Sequence, residues 1–259
     1  MVASRVVLRR GPLEFLACRP GKEHESILRL EATATHVYMA LGLIALEPGH
    51  PPRWSGATDG FSAPAGDLLD MTCVWESAGR EHTVDAFAWL REIEYARTPV
   101  SRPWVFAGSL PRGDGTLSAD HSGVGIALVD FSDSLITLSA GYPSDYSAMW
   151  VEANTPAIPP IDTPVRLILR PAAARELDVH IDFRGQAYVD DRWVSLPELA
   201  DLLKLARQVD PGRPQTIRSA GALRADVARV HRALERLGVA PPALRFEPTN
   251  DPSSGGRSR

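Results

Sequence analysis

The sequence predicts an α+β protein in which a turn-rich, mostly-β N-terminal domain is followed by a small two-layer ββαβαβ C-terminal domain. Prolines and glycines number 22 and 20 among 259 residues, which is more than a helix bundle tolerates. Short strand-like runs fill most of the chain, whereas its last third alternates strand and helix periodicities. We therefore expect domains at residues 1–171 and 178–248 and a disordered polar tail at 249–259.

The first elements follow from apolar runs and turn residues. Strands are predicted around Val6–Leu8 and Leu13–Cys18, and Pro20-Gly21 suits a tight turn. We therefore expect Leu13–Leu30 to form a β-hairpin. Apolar residues at roughly helical intervals then predict a helix over Ala32–Leu46.

The rest of the N-terminal domain is predicted to consist of short strands separated by segments rich in glycine and proline. A loop rich in glycine and proline is expected over His50–Asp67, a stiff connector over Pro156–Pro164 and a linker at Pro171–Ala174. Strands are expected at Met71–Glu76, Glu81–Phe87 (partly helical as an alternative), Trp104–Phe106, Gly125–Phe131 and Val165–Leu169.

The C-terminal domain has the clearest periodicity. Alternation in Asp178–Phe183 places Val179, Ile181 and Phe183 on one face of a strand. Ser195 and Glu198 form a capping box ahead of a helix. The further predicted elements are a strand over Ala187–Val194, a strand over Gln215–Ser219, a helix over Ala222–Leu237 and a strand over Ala243–Phe246.

Composition excludes several classes of protein. The chain has 44% hydrophobic and 23% charged residues, which is typical of a globular protein. Its net charge of −4 provides no positive field, so we expect no nucleic-acid partner. The charge is −6 over residues 1–171 and +2 over residues 172–259. Two cysteines are too few for a disulfide scaffold or a zinc ribbon.

No membrane span is predicted, because a spanning helix needs ~20 apolar residues and Val37–Leu46 is about half that length. Met1–Arg10 lacks the apolar core of a secretory signal, so the chain as written is predicted to be cytoplasmic. Val6–Leu8 is, however, predicted to be a strand, so a strand would begin within a few residues of Met1. We therefore hypothesise that the natural start lies upstream. A longer N-terminus with a signal segment would place the protein in the periplasm or cell envelope. A gene without an in-frame apolar segment upstream would refute this hypothesis.

Residues 178–248 resemble the periplasmic domain of ExbD/TolR biopolymer-transport proteins. The shared motifs are D-x-x-G at Asp182–Gly185, V-S-L-x-E-L at Val194–Leu199 and A-L-E-R-L-G-V at Ala233–Val239. The resemblance implies an envelope location, pairing of two copies through the sheet edge, and binding of an envelope protein or a cell-wall component. The family's transmembrane helix with its ionisable aspartate has no counterpart here, so a role in energy coupling is not implied.

Basic residues of the C-terminal domain are candidate partner contacts: Arg218, Arg224, Arg229 and Arg232. The alternative is a solvated helix face with intrahelical partners such as Asp226 and Glu235.

The first half of the chain resembles the YdjY domain, which is common in planctomycete-type bacterial proteins of unknown function. The resemblance spans roughly residues 5–170. It is carried by GPLEFLACRPGKEHESIL (Gly11–Leu28), WVFAGS (Trp104–Ser109) and SGVGIALVDFSDSLI (Ser122–Ile136).

Reactive side chains collect in the predicted hairpin. A turn at Pro20-Gly21 would place four residues on one face, namely Glu14, Cys18, Glu23 and Glu25, and three on the other, namely Lys22, His24 and Ser26. These seven residues are the candidate ligand or partner site.

Three interpretations of this site are open. A thiolate nucleophile with a histidine base is disfavoured, because the expected register separates Cys18 from His24. A divalent-metal site could combine Cys18, Glu23 and Glu25 with a distant His121 or His36, although no strong metal motif is present. The third is a buried cysteine with polar residues that tie the loop to nearby backbone or form a recognition surface. No cofactor is predicted, and Cys18 could pair with Cys73 only in an exported protein.

Two further features are open to more than one interpretation. Acidic residues near Asp114, Asp120 and Asp130 could coordinate calcium, although turn chemistry accounts for them equally. Trp54, in a proline-rich loop, is the tryptophan expected to be exposed. We expect a non-catalytic envelope binding or assembly protein; the alternative is a metal-dependent or thiol/redox protein that uses Cys18–Ser26.

Overall fold

A computed structural model describes residues 1–54, 60–139, 149–213, 215–220, 222, 224–239 and 244–248. The chain divides into two compact units, residues 1–173 and 174–259. Both mix strands and helices, with strands in the majority, which confirms the α+β class. Among the described helices, none has the length and apolar character needed to cross a membrane.

The N-terminal unit contains fourteen described strands, two α-helices and two short 3-10 helices (Glu23–Glu25 and Ala86–Trp89). The strands and helices are β1 (Val2–Val6), β2 (Phe15–Cys18), β3 (Ser26–Leu30), α1 (Ala34–Leu43), β4 (Pro48–His50), β5 (Arg53–Trp54), β6 (Phe61–Ser62), β7 (Ala65–Gly66), β8 (Leu68–Ser77), β9 (Arg80–Asp85), β10 (Leu90–Glu92), β11 (Trp104–Val105), α2 (Ser118–Ser122), β12 (Ile126–Ala127), β13 (Val151–Ala153) and β14 (Pro164–Pro171).

Eight of these strands form one sheet, with the order β11-β8-β14-β1-β3-β2-β12 and with β9 paired to β8. Its centre is the long pair β8–β14, in which Leu167 lies opposite Cys73. Both side chains are fully buried, together with Trp89 and Trp104. The alternation of apolar and polar residues therefore predicts β8 and β14 well.

The predicted hairpin over Leu13–Leu30 is wrong. Strands β2 and β3 are parallel, with Phe15 opposite Ser26 and Ala17 opposite Leu28. The antiparallel neighbour of β2 is β12, in which Ile126 lies opposite Ala17. The turn predicted at Pro20-Gly21 does not close a hairpin, because the chain runs back through residues 19–25 and starts β3 beside the start of β2.

Helix α1 confirms the predicted helix with shorter bounds, and its N-terminus is held by a distant aspartate. The Asp120 carboxylate accepts hydrogen bonds from the amides of Ala34 (2.6 Å) and Thr35 (3.1 Å) and from the Thr35 hydroxyl (2.6 Å). Burial alone would raise the pKa of Asp120, but the hydrogen bonds from Thr35 and these amides outweigh it and lower the pKa. This aspartate therefore acts as a cap supplied from outside the helix.

Two other predicted elements differ in detail. The loop expected over His50–Asp67 contains two small ribbons, β4–β7 and β5–β6, although residues 55–59 lie outside the described chain. Of the strand expected over Gly125–Phe131, only Ile126–Ala127 pairs, because the pairing with β2 shifts register there.

The C-terminal unit contains β15 (Val179–Asp182), β16 (Ala187–Val189), β17 (Arg192–Val194), α3 (Leu196–Val209), β18 (Gln215–Ala220), α4 (Arg224–Arg236) and β19 (Leu244–Pro248). They form a sheet of order β17-β16-β15-β18-β19. Pairing is antiparallel among β15, β16 and β17 and parallel from β15 through β18 to β19.

The single strand predicted over Ala187–Val194 is in fact the hairpin β16–β17. Its two turn residues, Asp190 and Asp191, have φ values of 50° and 60°. Aspartate tolerates this left-handed region, and two such residues in succession suit a tight hairpin turn. The described order is therefore βββαβαβ rather than ββαβαβ.

Helix α3 and the strands bury the expected apolar residues. The Ser195 hydroxyl accepts a hydrogen bond from the Glu198 amide at 3.3 Å, as the capping motif predicts. Val179 and Ile181 are buried, but Phe183 is 65% exposed because it lies past the end of β15. The predicted tail, residues 249–259, lies outside the described residues.

The Asp120 cap gives the first testable prediction. We expect Asp120→Ala to lower the free energy of unfolding by about 1–2 kcal/mol, because it leaves helix-terminal amides without their acceptor. Urea denaturation followed by circular dichroism measures the change. Asp114→Ala is the matched control, since that exposed carboxylate bonds to Thr116 and contacts Arg112 and His121, whereas Asp120 holds the amides of Ala34 and Thr35 at the start of α1. An equal loss in both variants would contradict the cap.

Candidate functional site

The parallel pairing of β2 and β3 brings the predicted site residues together in a way that a hairpin would not. The starts of both strands lie side by side, and the Glu14 amide donates a hydrogen bond to the Glu25 carbonyl at 3.1 Å. Their side chains also meet, and we call Glu14 and Glu25 the carboxyl pair.

The carboxyl pair is the most strongly perturbed acidic group among the predicted site residues. Burial, followed by the hydrogen bond to Glu25 and the negative charge of Glu25, raises the pKa of Glu14 to about 7, against the lowering influence of Lys22. The Lys22 Nζ lies 3.6 Å and the His24 Nε2 lies 3.3 Å from carboxylate oxygens of Glu25. Glu14 therefore keeps its proton below a pH of about 7 and releases it near neutrality.

Cys18 lies at the end of β2 with no exposed surface. Burial raises the pKa of its thiol to about 11, against a hydrogen bond with Ser26 that lowers it. The thiol is therefore protonated at neutral pH and is a poor nucleophile. His24 has an exposed side chain and contacts Glu25, so the structure does not join it to Cys18 as a nucleophile–base pair.

Glu23 and Lys22 contact the loop that joins β2 to β3 and also the two strands themselves. The Glu23 carboxylate accepts a hydrogen bond from the Gly21 amide at 2.7 Å and lies 3.8 Å from Arg29. The backbone amides of Glu23 and Gly21 lower the pKa of the Glu23 carboxyl. The Lys22 ammonium lies over the ring of Phe15, 5.9 Å from its centre.

The described residues give no support to a metal or a disulfide here. No group of three or more histidine, cysteine, aspartate or glutamate side chains is arranged to hold a metal ion in the described part of the chain. Both Cys18 and Cys73 are free thiols.

Comparison with known proteins identifies the N-terminal unit. The family description YdjY domain matches residues 7–170. The chain belongs to the YdjY family. No curated protein and no solved structure matches the chain. The match confirms the YdjY resemblance and covers none of the residues that resemble ExbD/TolR.

In the YdjY domain, the aspartates considered for calcium have separate surroundings. Asp114 accepts hydrogen bonds from the Thr116 amide and hydroxyl, and Asp120 caps α1. Asp130 is buried, one of its carboxylate oxygens has no hydrogen-bond partner, and burial raises its pKa to about 7. The sequence pointed to Asp130 only as a turn residue or calcium ligand, and its burial was missed because it depends on the tertiary fold.

The candidate arginines of the C-terminal unit do not share one surface. Arg218 forms an ion pair with Asp178 on the sheet, whereas Arg229 lies on α4, 3.3 Å from Asp226. Arg232 is exposed on the same helix, and the side chain of Arg224 lies outside the described residues. The alternative of intrahelical partners therefore holds for Arg229.

The carboxyl pair predicts a pH dependence of stability. The pKa of Glu14 is raised on folding, so its contribution is complete below the unfolded value near 4.5 and is lost as pH rises through about 7. We expect the free energy of unfolding to fall by about 1 kcal/mol from pH 5 to pH 8. This decrease is smaller than the full shift in the pKa of Glu14 would give, because Glu14 is partly exposed to solvent.

Urea denaturation across this pH range tests the expectation. Glu14→Gln should flatten the slope, because the amide carries no titrating proton. Glu23→Gln, in the segment between β2 and β3, should keep the wild-type slope, since the pKa of Glu23 is lowered rather than raised. A slope unchanged by Glu14→Gln would show that another group is responsible.

The buried thiols predict slow chemical labelling. At pH 8 the folded protein should react with Ellman's reagent many-fold more slowly than the unfolded protein, in which both cysteines should be counted. Rapid labelling of the Cys73→Ala variant, in which Cys18 alone remains, would contradict a protonated and enclosed Cys18 thiol.

Proposed function

We propose that this protein is a non-catalytic binding or assembly protein of the cell envelope, and that its C-terminal unit associates through a sheet edge. The N-terminal YdjY domain would recognise a ligand or partner through the accessible residues of the predicted site, which are Glu14, Lys22, Glu23, His24 and Glu25, while Cys18 and Ser26 lie buried beneath them. The buried, protonated Cys18 thiol supports binding over thiol chemistry.

The observation that carries the proposal is the edge strand β19. Within the described residues, β19 pairs with β18 and forms the end of the sheet. The outer side of an edge strand presents alternate N–H and C=O groups that can accept a further strand. A second copy of the same chain supplies such a strand symmetrically.

The envelope location rests on the resemblance of residues 178–248 to the ExbD/TolR periplasmic domain. Its motifs at Asp182–Gly185 and Val194–Leu199 fall on the turn after β15 and on the start of α3. The proposal takes over partner binding, to an envelope protein or a cell-wall component, and leaves energy coupling aside.

The test uses proline substitutions in β19. Neighbouring residues of a strand direct their amides to opposite sides, so one of Arg245→Pro and Phe246→Pro removes an outward amide and the other an inward one. We expect sedimentation equilibrium to give a dimer of the 28.2 kDa chain. The variant that retains the wild-type melting temperature should be monomeric.

Arg232→Ala on the exposed side of α4 is the matched control and should remain dimeric. A wild-type protein that is monomeric at every concentration would refute self-association. A proline variant that stays dimeric while remaining stably folded would refute association through the β19 edge.

A further inference from the structure

The sheet of the C-terminal unit has two unlike faces. Val179, Ile181 and Ile217 are buried on one face. Successive strand residues alternate between faces, so the opposite face carries His180 and Arg218, which lie opposite each other in the β15–β18 pair. We call this second side the polar face.

A groove of about 470 Å³ lies at the start of β15 and β18. Its volume falls in the ~300–1,000 Å³ range of small-molecule sites. The lining residues are Glu176, Leu177, Asp178, Val179, Thr216 and Arg218. The side chains of Leu177 and Val179 are buried, so polar groups and backbone supply most of the groove surface.

The charges in the groove select the class of ligand. Glu176 and Asp178 carry two negative charges, and Arg218, which is paired with Asp178, carries one positive charge. Arg218 and Asp178 compensate each other, and the remaining carboxylate of Glu176 disfavours an anion. An uncharged ligand can hydrogen-bond to the Arg218–Asp178 pair without separating its two charges.

The Arg218–Asp178 pair offers donors and acceptors together. Its two side chains are 47% and 48% exposed, so each keeps polar atoms in reach of a ligand. A guanidinium donates and a carboxylate accepts, and the Thr216 hydroxyl does both. Neighbouring hydroxyl groups on one molecule match this set, because each hydroxyl also donates and accepts.

An aromatic stack lies beside the groove on the polar face. The rings of His180 and Tyr188 are 4.9 Å apart and inclined by only 2°. His180 follows Asp178 by two residues on β15, which places both on one face of the strand. A ligand that extends from the groove therefore meets aromatic surface next to the charged pair.

We propose that this groove binds a neutral saccharide, with its hydroxyls on the Arg218–Asp178 pair and Thr216 and an apolar part of a sugar ring against the aromatic stack. The inference rests on the proposed binding function and names a ligand class for its C-terminal unit. Of the predicted partner contacts, it assigns Arg218 a role toward a small ligand.

Isothermal titration of the full chain with three neutral trisaccharides, maltotriose, cellotriose and chitotriose, tests the proposal. At least one should bind to the wild type. Arg218→Met and Thr216→Val should each weaken that binding at least tenfold, and Asp178→Asn should also weaken it while preserving the shape of the side chain. Arg229→Gln on α4 is the control and should bind as the wild type does.

Absence of binding by all three trisaccharides, or binding that the folded groove variants leave unchanged, would overturn the proposal. Tighter binding of inorganic phosphate than of any trisaccharide would also overturn the proposal that the ligand is neutral. These outcomes are independent of the β19 experiment, because the groove substitutions leave the outer edge of the sheet intact. A dimer without saccharide binding would therefore refute this inference alone.

Discussion

Strand β2 must satisfy hydrogen bonds on both sides while both of its faces are enclosed, and this constraint shapes the N-terminal unit. All four of its residues, Phe15–Cys18, are buried. The strand can occupy this position only between two neighbours, which are β3 on one side and β12 on the other. The parallel partner β3 forces the intervening chain to double back, and this return places Glu25 beside Glu14. Strand direction thus creates the contact with Glu25 that, together with burial, raises the pKa of Glu14.

Much of the fold could be predicted from periodicity, because β8, β14 and α3 show clear apolar patterns. The hairpin prediction failed at Phe15–Cys18, where a strand covered on both faces has no alternation to indicate its register. The turn at Asp190–Asp191 was missed because its left-handed backbone is visible only in three dimensions. Trp54 is 61% exposed, as its proline-rich surroundings predict.

In the candidate site, too, the features set by neighbouring residues in the sequence could be predicted, and those set by the tertiary fold could not. The sequence grouped Glu14 with Glu25 for the wrong reason, through a hairpin register that the chain does not adopt. It contained no signal for the burial of Asp130, which depends on the packing around that residue. Nor could it indicate the groove beside Arg218, which needs the parallel pairing of β15 with a strand that follows a complete helix.

The pairing of β1 with β14 has a consequence for how the protein is made. Ser4 lies opposite Val165 and donates its hydroxyl hydrogen bond to the carbonyl of that residue at 2.9 Å. A ribosome adding ~5–20 residues per second releases β1 roughly 10–30 s before β14 exists. During that interval one edge of β1 has no native neighbour from β14. Such long sequence separation slows folding, and it leaves the backbone groups on this edge of β1 unpaired until β14 has been synthesised.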